Sequence, residues 1–152
     1  MSEKEIADQI CGLSHQLQVA FSAGCTERVL PIIDYQLRNV DVPRAAIDLV
    51  WHFACSGSAD HETLSQLYQF VKSGVPNLDS HAGCTASMMG YLAVYAALGA
   101  IVDKSGQSAS HAAICVIDSL DAIADFFEVT RPDTEVEWQH HAIEFLKNWG
   151  TK

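Results

Sequence analysis

Positive charge is scarce in this chain: nine Lys and Arg stand against nineteen Asp and Glu, a formal net charge of -10. Nucleic acid and anionic membrane surfaces call for the opposite balance and are excluded as expected partners. A basic macromolecule is the complementary one. Charge of either sign is thin, at 18% of residues, while apolar residues reach 49%. That composition excludes disorder. Period-two alternation bounded by hairpin dipeptides is missing, which argues against a sheet. A glycine-rich phosphate loop and a nucleophile elbow are missing as well, and with them the commonest signatures of nucleotide and acyl-transfer chemistry. The opening MSEKEIADQI has no apolar signal core, so the expected location is the cytoplasm. Five cysteines, at 11, 25, 55, 84 and 115, are odd in number and contain no CxxC. They read as reduced thiols that serve as small core hydrophobes. The longest apolar run, Met88 to Val102, is 15 residues. That is short of the roughly 18 to 20 needed to span a bilayer, and a buried helix explains it better.

Helical periodicity is present nearly everywhere. A leading segment from Ser2 to about Cys11 stops at Gly12. Ser14 is placed to cap a second helix running to about Leu37, with Leu17, Phe21, Cys25 and Ile32 on one stripe. A third runs from Pro43 to about Cys55 and is stopped by Gly57, with proline in its tolerated first turn. Asp60 or Ser58 caps a fourth, about His61 to Lys72; Asp79 or Ser80 starts a fifth that reaches Asp103. Ser108 caps a sixth to about Val129, and a last helix runs from near Asp133 to Trp149. The fifth is apolar nearly all round and so must be covered on all sides; Gly83, Ser87, Gly90 and Ala97 let its neighbours approach closely. Linkers are short. The expectation is one all-α domain over residues 1–152, a bundle of six or seven helices around that buried central helix.

One stretch stands out. In CTERVLPIID, residues 25 to 34, Glu27 and Arg28 sit inside an apolar segment just before Pro31. Proline has no N–H and its ring presses on the carbonyl four residues back, so the helix is disturbed there. Adjacent side chains on a helix point about 100° apart, so Glu27 and Arg28 cannot face each other and need partners from elsewhere. Arg44 and Asp48 on the third helix are candidates. The pair reads either as a polar cross-brace that fixes helix packing or as part of a ligand or partner site.

"CTERVLP", "VPRAAIDLVWHFACSG", an Ala-rich central pair of helices and "EVEWQ" occur in that order. This resembles the all-helical immunity proteins of bacterial polymorphic toxin systems; a related helical family of unknown function shares the Cys-x-Glu-Arg-x-x-Pro pattern. The resemblance runs from about Gln18 to Leu146, strongest over Cys25 to Pro31 and supported by Pro43, Arg44 and Trp51. The family's Ala- and Arg-rich central region is replaced here by Met88, Met89, Tyr91 and Tyr95. What the resemblance implies is a small protein that binds a cognate toxin and blocks it, with Glu27, Arg28, Pro31, Arg44, Asp48 and Trp51 as structural motif residues.

Seven histidines invite a metal. His111, Cys115 and Asp118 share one helix face, and Glu137, His140, His141 and Glu144 form a second group. Closed zinc sites take four ligands, and only the second group reaches four side chains, of mixed type on one helix, so no metal and no cofactor is expected. Asp48 and His52 stand one turn apart like a base and its orienter, a pairing common on helices, and no enzyme is expected either. The acidic C-terminal third is the stronger signal. From Asp118 to Glu144 the acids are Asp118, Asp121, Asp125, Glu128, Asp133, Glu135, Glu137 and Glu144, against the single base Arg131. Asp118, Asp121, Asp125 and Glu128 fall within about 80° of helical arc, one continuous stripe. The stripe is either a solvated face or, with Asp133, Glu135 and Glu137, a surface offered to the basic active-site cleft of a toxin. A helical ligand- or metal-binding module with no toxin partner, its pocket lined by Met88, Met89, Tyr91 and Trp51, is the alternative.

Overall fold

A computed structural model of the chain describes residues 3–75, 84–126 and 134–150, and every regular element among them is an α-helix. In chain order these are α1 (Glu3–Cys11), α2 (His15–Glu27), α3 (Leu30–Leu37), α4 (Asp41–Ser56), α5 (His61–Gly74), α6 (Cys84–Val102), α7 (Gln107–Phe126) and α8 (Thr134–Gly150). The all-α bundle has α6 at its centre. That helix is covered by α2, α3, α4 and α5 and most extensively by α7. Its Ala93, Val94, Ala97 and Leu98 are fully buried.

Small residues let α6 take this position. A β-carbon at Gly90 would lie 3.2 Å from Cγ1 of Ile33 and 3.4 Å from Cβ of Val29, so glycine is what allows α6 to pass so close beneath α3. The Ser87 hydroxyl donates to Oε1 of Gln36, and its backbone N–H donates to the same oxygen at 2.9 Å. Ser119 of α7 donates to the Ala86 carbonyl at 2.7 Å, which satisfies a buried hydroxyl. Gly83 lies outside the described residues. The helix is longer than the uninterrupted apolar run: residues Thr85–Val102 are long and apolar enough to cross a membrane, but 61% of that window is buried inside the protein.

The eighth helix arises from a break that a single helix to Leu37 did not anticipate. α2 ends at Glu27, and the N–H groups of Arg28 and Val29 donate to the carbonyls of Cys25 and Thr26 at 3.1 Å, a tighter i→i+3 turn. α3 then restarts with Pro31 in its first turn, where the missing N–H is harmless. Other boundaries follow their chemistry. Asp60 caps α5 by accepting from the Thr63 N–H at 3.0 Å, and Gly57 closes α4 at φ 77. Ser14 occupies the N-cap of α2 without a capping side-chain bond. Ser108 lies inside α7 and receives rather than gives the cap: Asp103 Oδ2 accepts from its N–H at 2.9 Å, and Ser105 Oγ accepts from Gln107 N–H at 3.2 Å. Of the described thiols Cys25 and Cys115 are buried, whereas Cys11 and Cys55 are exposed and so do not serve the core.

Candidate functional site

The geometry converges at the C-terminal end of α2. Glu27 points toward α4. Its Oε2 accepts from Nη1 of Arg44 at 2.9 Å, and its Oε1 accepts from Nη2 of Arg44 and, at 3.0 Å, from the indole N–H of Trp51. This is a two-pronged guanidinium–carboxylate pair with a third donor added. Arg44 also donates from Nε to Oδ1 of Asp48 at 3.1 Å, one turn along α4. Asp48 therefore turns to Arg44 rather than serving as an orienter for His52, which is exposed. The Arg44 hydrogen bonds hold the Glu27 carboxyl below the usual range, with Trp51 adding to them and burial opposing. The stabilisation this pair gives is complete above the ordinary carboxylate pKa and is lost as pH falls through the lowered one.

Arg28 points the other way, toward α8. Its Nε–H donates to Oε2 of Glu135, and its guanidinium lies 4.7 Å from the ring centroid of Trp138. Oε1 of Glu135 accepts from Nε2 of Gln139 at 3.1 Å, and that same nitrogen donates to the Ala113 carbonyl of α7 at 3.2 Å. The two adjacent charges thus bolt α2 to α4 on one side and to α8 on the other, as their angular offset on the helix requires. The Glu27 partner on the third predicted helix is the expected one. The partner of Arg28 is not. Glu135, assigned from the sequence to a partner-binding surface, has a side chain only 2% exposed. An acid so enclosed and already paired cannot be presented to another molecule.

Between the two bolts runs an apolar groove of about 420 Å³. Trp51 and Trp138 stand among its walls, Ala20 and Gly24 of α2 contribute its small residues, and His141, Ala142, Phe145 and Leu146 complete it from α8. A β-carbon at Gly24 would lie 3.2 Å from Cη2 of Trp138, so glycine lets that indole close onto α2. Phe145 remains 63% exposed. Met88, Met89 and Tyr91 do not contribute to the groove that Trp51 lines; Tyr91 is buried against Gly74 instead. The pocket drawn from those residues is therefore replaced by this one. Sequence reading missed it because α8 lies more than seventy residues beyond α2 and α4 in the chain; "VEWQHHAIEFL" carries a local signal, aromatic residues along one helix.

The acidic stripe is only partly within view. The Asp125 side chain and all of Glu128 and Asp133 lie outside the described residues, as does Arg131. Asp118 and Asp121 are half-buried on α7, and Glu137 is exposed on α8. Burial raises the Asp118 carboxyl above its ordinary value; the Asp121 charge raises it further and His111 opposes. A carboxyl raised on folding makes its ionised form a liability above the raised pKa, and the liability is gone below the unfolded value near 3.9. Asp118→Asn is therefore expected to raise the unfolding temperature at pH 7 by about one to two degrees, an effect of up to about 0.5 kcal/mol. The gain should vanish by about pH 3; calorimetric scans at both pH values check it.

His111 Nε2 lies 3.6 Å from Sγ of Cys115, whose thiol is pushed up to about 11 by burial and the nearby Asp118 charge. Glu144 pairs with Lys147 at 3.5 Å, and the rings of His140 and His141 are 5.9 Å apart. Among the described residues no three His, Cys, Asp or Glu side chains converge on a point that could hold a metal ion.

Comparison of the chain with protein-family models, with curated proteins and with solved structures returned no match.

Proposed function

We propose that this chain is an immunity protein: it binds a cognate bacterial toxin that acts in the cytoplasm and neutralises it by occupying a basic surface. The observation that carries the reading is the placement of Asp118 and Asp121 on one face of α7, where burial and the neighbouring Asp121 charge disfavour the charge that Asp118 bears. A carboxylate held at a cost to the free protein is the kind that a cationic partner relieves. The net charge of -10 steers the same class of partner toward the surface. Carboxylates facing a basic cleft stand where a substrate's phosphates would stand, so binding and inhibition become one event. The motif residues serve this indirectly: Glu27 and Arg28 hold α4 and α8 to α2, and their own charges are consumed in doing so.

The reading is tested by co-expression with the product of the adjacent gene in a sensitive bacterial host. Growth should be restored by the wild-type chain and by a variant that keeps the acids, and lost when Asp118 and Asp121 are both neutralised. Growth arrest that the wild-type chain leaves unchanged would sink the proposal. A ligand-binding helical module is the second reading, favoured by the groove, whose volume lies in the range of roughly 300 to 1,000 Å³ typical of small-molecule sites. A small molecule retained through purification would support it.

A further inference from the structure

We infer that the groove between α2, α4 and α8 is a docking site for one large apolar side chain, aromatic in preference, carried on a basic segment of a partner protein. The identity of that partner rests on the neutralisation reading; the chemistry of the groove does not.

The walls are set before anything binds. The Trp51 indole is fixed by its N–H bond to Glu27, so the polar edge of the ring is spent and its apolar surface lines the groove. Trp138 is fixed by the Arg28 guanidinium stacked over it and by its contact with Gly24. Each wall is thus held by one of the two ion pairs, and a rigid aromatic pocket loses little freedom when it is filled. Tryptophan-rich, water-excluding pockets are where binding energy concentrates in protein interfaces. The exposed Phe145 extends the apolar surface outward, as an interface rim would and a closed ligand cavity would not.

Charge selects the segment that carries the side chain. The charged groups tied to the groove walls are Glu27, Arg44 and Asp48 at Trp51 and Arg28 and Glu135 at Trp138, three acids to two bases, with Glu137 adjoining Trp138 along α8. Both arginines are held by carboxylates. Asp48 is 65% exposed and shares Arg44 with Glu27, and Glu137 is exposed, so the surplus negative charge lies at the surface. Lysine or arginine beside the inserted side chain meets that surplus; acids there are repelled.

The test uses short capped peptides as probes: Lys-Arg-Trp-Arg-Lys, its alanine version Lys-Arg-Ala-Arg-Lys, its acidic version Glu-Asp-Trp-Asp-Glu, and free indole. The indole N–H signals of Trp51 and Trp138 are followed by NMR in the full chain. The basic tryptophan peptide should shift both signals saturably at about 1 mM or below, and the other two peptides should bind at least about tenfold more weakly. Gly24→Leu should abolish the shifts by filling the groove. Because a leucine there presses on Trp138, Ala20→Leu and Phe145→Ala serve as further variants, each first shown to unfold like the wild type. Phe145→Ala should weaken binding several-fold.

No saturable shift with the basic tryptophan peptide, or shifts that survive both groove-filling variants, would overturn the inference. So would equal binding of the acidic peptide. Free indole binding as tightly as the basic peptide would assign the groove to a small aromatic ligand instead. Peptide binding alongside failed growth rescue would refute the toxin reading alone, and rescue with no peptide binding would refute the groove alone.

Discussion

Replacing Arg28 with alanine is expected to destabilise the protein by about 3 kcal/mol, the lower end of the loss seen when one member of a buried ion pair is removed. The side chains of the pair are unequally enclosed: Glu135 is 2% exposed and Arg28 is 34% exposed. Removing the arginine takes the counter-charge from the more enclosed partner, although Gln139 still donates to it. Removing the acid leaves a cation that water can reach. Glu135→Leu should therefore cost clearly less than Arg28→Ala, an order that a symmetric view of salt bridges would not produce. For a chain of this size each kcal/mol corresponds to about two to four degrees, so Arg28→Ala should unfold about six to twelve degrees early. A shift of less than two degrees would mean that the α2–α8 bolt contributes nothing.

Trp138→Ala should have an effect of similar size, about 3 kcal/mol, at the low end for removing a large aromatic because part of the ring already lines an open groove. The two losses should not add. Arg28 stacks on Trp138 at 4.7 Å, and each side chain fixes the other against α2, so the double variant should fall short of the sum by about 0.5 to 1.5 kcal/mol. Urea unfolding of the wild type, both single variants and the double variant closes the cycle. Additivity within about 0.3 kcal/mol would show that the stack is incidental.

Of these residues Arg28 stands out in the sequence and Trp138 does not, and the partners of the Glu27–Arg28 pair are only half visible there. Helical periodicity, Gly57, Asp60 and the all-apolar 88–102 run are local signals, and the bundle around α6 follows from them. Glu27 found Arg44 because α2 and α4 are close in the chain and short connections make antiparallel neighbours. Arg28 found Glu135, 107 residues away, and no local rule reports such a contact. Periodicity locates a charged residue on a face but does not tell whether that face is covered. Glu135 was thus counted among surface acids, although α8 turns it inward. The groove was illegible for the same reason, since it exists only once α8 has docked. Because α7 starts at Gln107, Ser108 lies inside its first turn, and its backbone N–H is capped by the Asp103 carboxylate instead.

The proposed binding of a basic toxin through surface carboxylates is tested by calorimetric titration of the purified chain with a catalytically inactive form of that toxin. The titration is run from about 50 to about 300 mM salt, with the wild type and with the double variant Asp121→Lys, Glu137→Lys, whose folding is checked by its unfolding temperature. The expected result is a one-to-one complex whose affinity falls as salt rises, and a double variant weakened by about 30-fold or more, the equivalent of about 2 kcal/mol. An affinity that neither salt nor the double reversal changes would contradict it.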